Sequence, residues 1–545
     1  MRTLYARALL LYLFLIPTTL SAQTATHLWS QRFGAAGEDQ AYGVTTDGAG
    51  NVYVTGAFEG TVSFGGPNLV SAGDWDVFLA KYDANGVHQW SRRYGSPALD
   101  LGFRLLVDGT GNLVMMGHYN GTINVGGGDL TVIGIGGSTF LAKYDASGAH
   151  LWSRGFPSSF TCSGAALAMD EDGDLAMGGY FDGTVDFGGG PFGSAGRPDI
   201  FVAKYGADGA HLWSKHFGSS GDDIAYGLAT DGSGNVIFTG EFHDTIDFGG
   251  GPLVATGSSM FLVKYTTAGD HIWSQSFGLA IGRAIAVDNS DNAFVGFIGD
   301  AVVGGGPVVG TGPRKLLAKF DSQGTHQWTR AYDGPGWAVV RSASATSSGG
   351  VAVIGEFEDT VDLGAGPMAS SGGGDIFVAV YDANGEHLCS RSLGSVNQDY
   401  AWDVAVDPSD NVLASGRFEI SIDAGGGTLV SAGYGDALVA KYRLPVATAT
   451  TPALETSVGQ NYPNPFNPST SIDVTIGERT AVVVEIYDAR GARVAILDAG
   501  VKDAGTHRVA WGGTDATGKR VGSGVYFYRL EGAGALTSRK MVLLK

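Results

Sequence analysis

The chain has 545 residues, 88 of them glycine, and a formal net charge of −20. That acidity excludes a binder that works by neutralising nucleic-acid phosphates, and it offers nothing to an anionic membrane surface. An apolar fraction of 44% with only 16% charged residues excludes disorder and points to many short strands joined by tight turns.

At the N-terminus, Arg2 and Arg7 precede an apolar run over residues 8–16, followed by small residues up to Ala22. This layout predicts a secretory signal over residues 1–22, removed after Ala22. The run is shorter than the roughly 20 residues a membrane span needs, and no later segment is longer, so the mature chain is predicted to carry no transmembrane segment. Cys162 and Cys389 fall at different phases of the pattern described next, so no disulfide framework is expected.

From residue 23 to residue 443 the sequence repeats. His-x-Trp occurs at His27, His88, His150, His211, His271 and His326, and returns as His387-Leu388-Cys389. The spacings are 61, 62, 61, 60, 55 and 61 residues. A second marker, Lys-Tyr or a variant, occurs at Lys81, Lys143, Lys204, Lys264, Lys319, Val380 and Lys441. Within the first unit, residues 41–47, 51–58, 76–83 and 88–95 read as strands, rich in β-branched and aromatic residues. Asp47-Gly48-Ala49-Gly50 and Ala84-Asn85-Gly86 join them, and both have the chemistry of hairpin turns. Four antiparallel strands repeated seven times is the pattern of propeller blades. Each Lys-Tyr strand is followed by its His-x-Trp strand, except at Lys441, and His27 has no Lys-Tyr strand before it. The two orphans are predicted to pair, so that the N-terminal strand completes the last blade and closes a ring of seven. These units, seen in VTTDGAGNVYVTG and LATDGSGNVIFTG, resemble the seven-bladed β-propeller repeats of secreted bacterial proteins. The motifs speak to fold and hardly to function.

The repeated residues read as scaffold. One histidine and one tryptophan per unit cannot converge on a single ion, so the pair is expected to pack between blades. Asp47, Asp108, Asp170, Asp231, Asp288 and Asp407 hold one slot before the Gly-Asn turn, with Thr346 in the sixth copy. An Asp there caps its own turn backbone. Calcium is the alternative, strongest at Asp170, Asp172 and Asp174, although that run lacks the closing Glu of a helix-loop-helix calcium site. The glycine-rich segment that starts at Thr184 lacks the Lys-Ser/Thr of a phosphate loop and is expected to be a tight connection.

Function is then left to slots that differ between copies. At the end of the second strand these hold Ala57, His118, Tyr180, Glu241, Phe297, Glu356 and Arg417. On the same face, the connection into each first strand carries Asp39, Asp100, Asp223 and Asp399. His118, Tyr180, Glu241, Glu356, Arg417 and these four aspartates are the expected ligand-binding residues, for a glycan, a cation or a protein. No nucleophile elbow, HExxH or Cys-His pair is present, so no catalytic residue is assigned and no cofactor beyond calcium is expected. A carbohydrate-active enzyme built on paired carboxylates, or a surface-layer component, are the alternatives.

Residues 444–458 read as a linker rich in Ala, Thr and Pro. Residues 459–545 hold six strand candidates, enough for a small immunoglobulin-like sandwich. NYPNPFNPST, EIYDARG, WGGTDATGKRVGSGVYFYRL and the terminal RKMVLLK resemble the C-terminal sorting domain of type IX secretion cargo. That resemblance implies recognition by outer-membrane secretion machinery and an extracellular or outer-membrane-surface destination. The sequence as a whole predicts an all-β exported binding or scaffold protein, a seven-bladed propeller followed by a sorting sandwich.

Overall fold

A computed structural model describes residues 25–255, 257–303, 306–307, 315–332, 334–444, 457–476, 480–502, 505–531 and 538–545. The predicted signal segment and most of the predicted linker lie outside these residues. Contacts divide the chain into two units, 1–445 and 446–545. Among the described residues, no helix is long and apolar enough to cross a membrane.

Among its described residues, the first unit holds seven four-stranded antiparallel sheets. The first sheet runs, in order, Asp39–Thr46, Val52–Phe58, Asp76–Tyr82 and His88–Tyr94. Five more sheets follow the same order, starting from the inner strands Asp100–Val107, Thr161–Met169, Ile224–Thr230, Ala280–Val287 and Ala338–Ala345. The seventh has Tyr400–Val406, Asn411–Phe418 and Asp436–Arg443, and its outer strand is Thr26–Phe33, from the other end of the chain. The pairing runs from Thr26 against Arg443 to Phe33 against Ala437. Each inner strand packs against that of the next sheet, and Asp39–Thr46 packs against Tyr400–Val406. The unit is a propeller scaffold. The glycine-rich segment from Thr184 differs from expectation: Thr184–Asp186 and Pro191–Gly193 pair as a small ribbon, and comparable ribbons link the second and third strands of the other sheets. Gly188 and Gly190 adopt positive φ, which lets so short a ribbon turn back.

The two repeated markers do different jobs. Each histidine stays within its own sheet, with Nε2 of His88 and His211 against the hydroxyls of Ser91 and Ser214 at 3.2 and 3.1 Å. The tryptophans reach the neighbouring sheet. Nε1 of Trp29, Trp213 and Trp328 donates to the carbonyls of Ala84, Thr267 and Ala383 at 3.1, 2.9 and 3.1 Å. The expectation of both packing between sheets therefore holds for the tryptophan and not for the histidine.

The Lys-Tyr lysines, buried except for the half-buried Lys81, meet the turn aspartates. Lys143 with Asp108, Lys204 with Asp170, Lys264 with Asp231, Lys319 with Asp288 and Lys441 with Asp407 lie 2.7–2.9 Å apart, and Lys81 with Asp47 lies 4.0 Å apart. The same Nζ atoms donate across the sheet boundary, for example Lys143 to Ala207 O at 3.1 Å, Lys264 to Ser322 O at 3.1 Å and Lys441 to Ala84 O at 3.3 Å. Burial alone would raise the Asp231 carboxyl. Hydrogen bonds from Lys264 and Asn235 outweigh it and hold the group below the usual carboxylate range. In the sixth sheet both partners change together, to Thr346 and Val380, and no charge is left unpaired.

The second unit is a two-sheet sandwich. One sheet contains Ser457–Val458, Thr470–Ile476 and Gly505–Trp511; the other contains Arg493–Lys502, Thr480–Asp488, Gly524–Glu531 and Ser538–Leu543. Ile472, Val484, Trp511, Tyr528 and Met541 share its core. The prolyl segment is tied in by Asn461, whose Nδ2 donates to Pro463 O and Thr470 Oγ1, both at 3.0 Å. The terminal strand is tied in by Phe466 N donating to Val542 O at 2.9 Å.

The paired substitution in the sixth sheet makes a test. Lys204→Met strands a buried Asp170 carboxylate and is expected to lower unfolding stability by about 3–5 kcal/mol. Asp170→Thr with Lys204→Val, the sixth sheet's own pair, is expected to restore most of that loss. Denaturant unfolding of the three proteins checks both.

Candidate functional site

Every inner strand carries one β-bulge at the same place. The residues skipped by the pairing are Tyr42, Phe103, Ala165, Tyr226, Arg283, Arg341 and Trp402. A bulge inserts an unpaired residue and re-aims its side chain. All seven line one cavity of about 470 Å³. The second strand leaves room for the bulge with a glycine. A Cβ on Gly56 would lie 1.8 Å from Gln40 O, and one on Gly240 would lie 1.9 Å from Ile224 O.

The lining is asymmetric. From the seventh, first and second sheets come three aromatic rings in sequence, with Trp402 and Tyr42 centroids 4.9 Å apart and Tyr42 and Phe103 5.5 Å apart. Tyr400 stacks behind Trp402 at 6.2 Å. The fourth, fifth and sixth sheets supply Tyr226, Arg283 and Arg341. The Arg283 guanidinium sits 4.0 Å over the Tyr226 ring and forms no ion pair among the described residues. Arg341 is held in bidentate fashion by Glu356, at 3.1 and 3.3 Å. The Tyr226 hydroxyl donates to Glu241 at 2.8 Å, and the other oxygen of Glu241 accepts from Ser258. Burial pushes the Tyr226 hydroxyl up to about 12, so at neutral pH it is a donor rather than a base.

Deeper in, a polar floor crosses the cavity. Arg104 and Asp403 pair at 3.5 Å, Ser342 Oγ donates to Asp403 at 2.7 Å, and Val44 N donates to its second oxygen at 3.2 Å. Below this a smaller space of about 280 Å³ continues, lined by all seven inner strands.

Of the residues expected from sequence, Tyr180 lines the cavity. Glu241 and Glu356 stand one layer behind, holding Tyr226 and Arg341. Arg417 is buried, 5.3 Å over the Tyr400 ring, and bridges Glu38 and Glu419 at 2.7 and 3.1 Å. His118 lies beside Phe103, with centroids 6.4 Å apart. In the fifth sheet the register aligns Ile298, rather than Phe297, with these positions.

The four aspartates do not form an acidic rim. Asp39, Asp100, Asp223 and Asp399 are 0% exposed. One oxygen of each accepts from the backbone four residues earlier (Ala35 2.9 Å, Ser96 2.6 Å, Ser219 2.6 Å, Ser395 2.7 Å). The other accepts from the backbone twenty residues later (Glu59 3.2 Å, Asn120 3.3 Å, His243 2.8 Å, Glu419 3.0 Å). They clamp the connection between sheets to the end of the second strand, because a buried loop must have its N–H groups satisfied. The run at Asp170 does not converge either. Asp170 is spent on Lys204, Asp174 accepts from Ala207 N at 3.1 Å, and Asp172 is exposed. Among the described residues, no three His, Cys, Asp or Glu side chains are grouped to hold a metal ion.

Sequence reasoning missed Tyr42, Phe103, Tyr226, Arg283, Arg341 and Trp402. The signal was present, since the slot three residues after the clamp position varies between copies as widely as the second-strand slot does. Simple alternation does not aim that slot into the cavity; the bulge does.

The Beta-propeller repeat family matches residues 28–57, and the FlgD Ig-like domain family matches residues 468–535. An uncharacterised WD repeat-containing protein of Acanthamoeba polyphaga mimivirus is 24% identical over 325 residues, 46% of this chain and 23% of that protein. Regulatory protein FlaEY of Caulobacter vibrioides is 24% identical over 258 residues, 45% of this chain and 26% of that protein. The chain thus spans about a quarter of the length of these curated relatives. Among solved structures, the β-propeller domain of the Trilobed protease from Pyrococcus furiosus has a TM-score of 0.38 at 9% identity, over 74% of this chain and 99% of that one. Puromycin hydrolase has a TM-score of 0.39 at 11% identity, over 81% of this chain and 59% of that one.

The clamps carry a pH dependence. Burial pushes Asp39 and Asp399 up to about 7 and Asp100 up to about 6. Unfolded, such groups ionise near 4, so from there up to about pH 7 the folded chain holds more protons than the unfolded one, and stability falls as pH rises through that window. Unfolding measured at steps from pH 4 to pH 8 should show this decline. Asp39→Asn with Asp399→Asn should remove much of the slope, and an unchanged slope would count against the assignment.

Proposed function

We propose that this chain is an exported binding protein: a closed seven-bladed propeller that presents a ligand site at one mouth of its central cavity, delivered by a C-terminal sorting domain. Closure is supported by the outer strand Thr26–Phe33 on the seventh sheet and by the contact between the first and seventh inner strands. The binding reading rests on one observation, the convergence of seven bulged, chemically diverse side chains on a single cavity of about 470 Å³. A space of that size, walled by aromatic rings with a few polar groups, has the character of a small-ligand site. A carboxylate-pair enzyme is less favoured, since both Glu241 and Glu356 are tied to neighbouring side chains.

The sorting reading rests on the NYPNPFNPST and RKMVLLK segments, which the sandwich builds into its edge and last strand. It places the mature protein outside the cell or on its outer surface. Deleting residues 538–545 is expected to leave the chain inside a type IX-competent host, and undiminished export would overturn this part.

The binding part is tested with glycan and protein arrays, with and without calcium. Trp402→Ala and Tyr42→Ala are each expected to weaken any ligand found by about tenfold or more. A ligand indifferent to both changes would move the site elsewhere. Turnover of an array glycan would make the protein an enzyme instead.

A further inference from the structure

Resting on the mouth as the binding site, we infer that its ligand is a glycan carrying a hexuronate, with the sugar ring on the aromatic arc and the carboxylate on Arg283. Three cationic side chains approach the cavity, and two are neutralised within the protein. Arg341 is charge-paired with Glu356 through its Nε–Nη2 edge, and Arg104 pairs with Asp403 in the floor. Arg283 alone has no ion pair among the described residues. Its guanidinium lies 4.0 Å from the centre of the Tyr226 ring, and N–H donors that meet no carboxylate can serve a planar acceptor. A cation without a counter-ion, half-buried in a chain of net charge −20, is a site that discriminates for an anion.

Trp402, Tyr42 and Phe103 meet edge to face, at 60° and 81°, and line the mouth as successive apolar rings. The C–H face of a pyranose can lie on a single ring, whereas a free phosphate or sulfate has no apolar face to place there. The cavity of about 470 Å³ accepts one or two sugar rings, and the Arg104–Asp403–Ser342 floor limits how far they enter.

The test uses the full chain and calorimetry with three tetrasaccharides: an oligogalacturonate, an oligoalginate and a hyaluronan fragment. The methyl ester of the oligogalacturonate and a neutral maltotetraose serve as uncharged partners. At least one acid is expected to bind about tenfold or more better than its uncharged counterpart, with the advantage shrinking in high salt. Arg283→Gln is expected to abolish that preference while leaving residual binding, and Arg283→Lys to keep part of it. Trp402→Ala is expected to weaken acid and ester alike. Equal binding of acid and ester, unaffected by Arg283→Gln but lost with Trp402→Ala, would overturn the hexuronate and leave the mouth as a glycan site. Acid binding untouched by both variants would overturn the mouth itself. Failure of all three acids to bind would overturn the hexuronate, leaving the array result to judge the mouth.

Discussion

A lysine buried between two β-sheets is tolerable only when its charge is fully met, and the propeller is organised around meeting it. Each such lysine rises from the third strand and takes its counter-ion from the turn that joins the first two strands. It then spends a remaining proton on a carbonyl of the next sheet. The contact is therefore a joint as well as an ion pair. An apolar side chain in its place would pack the sheet but would not set its position against its neighbour, because dispersion contacts have no direction. Trp29, Trp213 and Trp328 add a second directed bond to the same neighbouring hairpin. With both joints in the outer half of the sheet, the bulged residues of the inner strands are left free to vary.

That freedom explains the division of labour in the molecule. The positions that hold sheets together are nearly invariant from copy to copy. The bulged positions run through tyrosine, phenylalanine, alanine, arginine and tryptophan. A bulge suits such variation, since the extra residue makes no ladder hydrogen bond and owes nothing to its neighbours across the sheet. The layer behind does respond to what the bulge carries. Where the bulge is Arg341, the second strand offers Glu356; where it is Tyr226, it offers Glu241.

Much of the scaffold was legible because its chemistry is local and repeated. The Asn-Gly and Asp-Gly turns, the Lys-Tyr and His-x-Trp strands and the orphan markers at His27 and Lys441 place the strands within a residue or two. The joint variation at Thr346 and Val380 was also visible, though its meaning as a lost ion pair needed the two strands side by side. The site was read less well, for two physical reasons. Asp39, Asp100, Asp223 and Asp399 occupy loop positions that look exposed in sequence, yet the loops fold over them and use them as backbone acceptors. And a one-residue bulge reverses the face of a side chain, so an alternation rule applied along residues 39–46 aims Tyr42 away from where it stands.

The strand Thr26–Phe33 has a consequence in time as well as in space. It pairs with Asp436–Arg443, four hundred residues further along, whereas every other strand in the propeller finds its partners within its own repeat. Local hairpins can form as the chain emerges; this one pairing must wait for the last repeat and bears the largest loop-closure cost in the unit. The early strand is thus a latch with no keeper until synthesis of the propeller is complete. Until then the seventh sheet lacks its outer strand, and the edge of Asp436–Arg443 stays open.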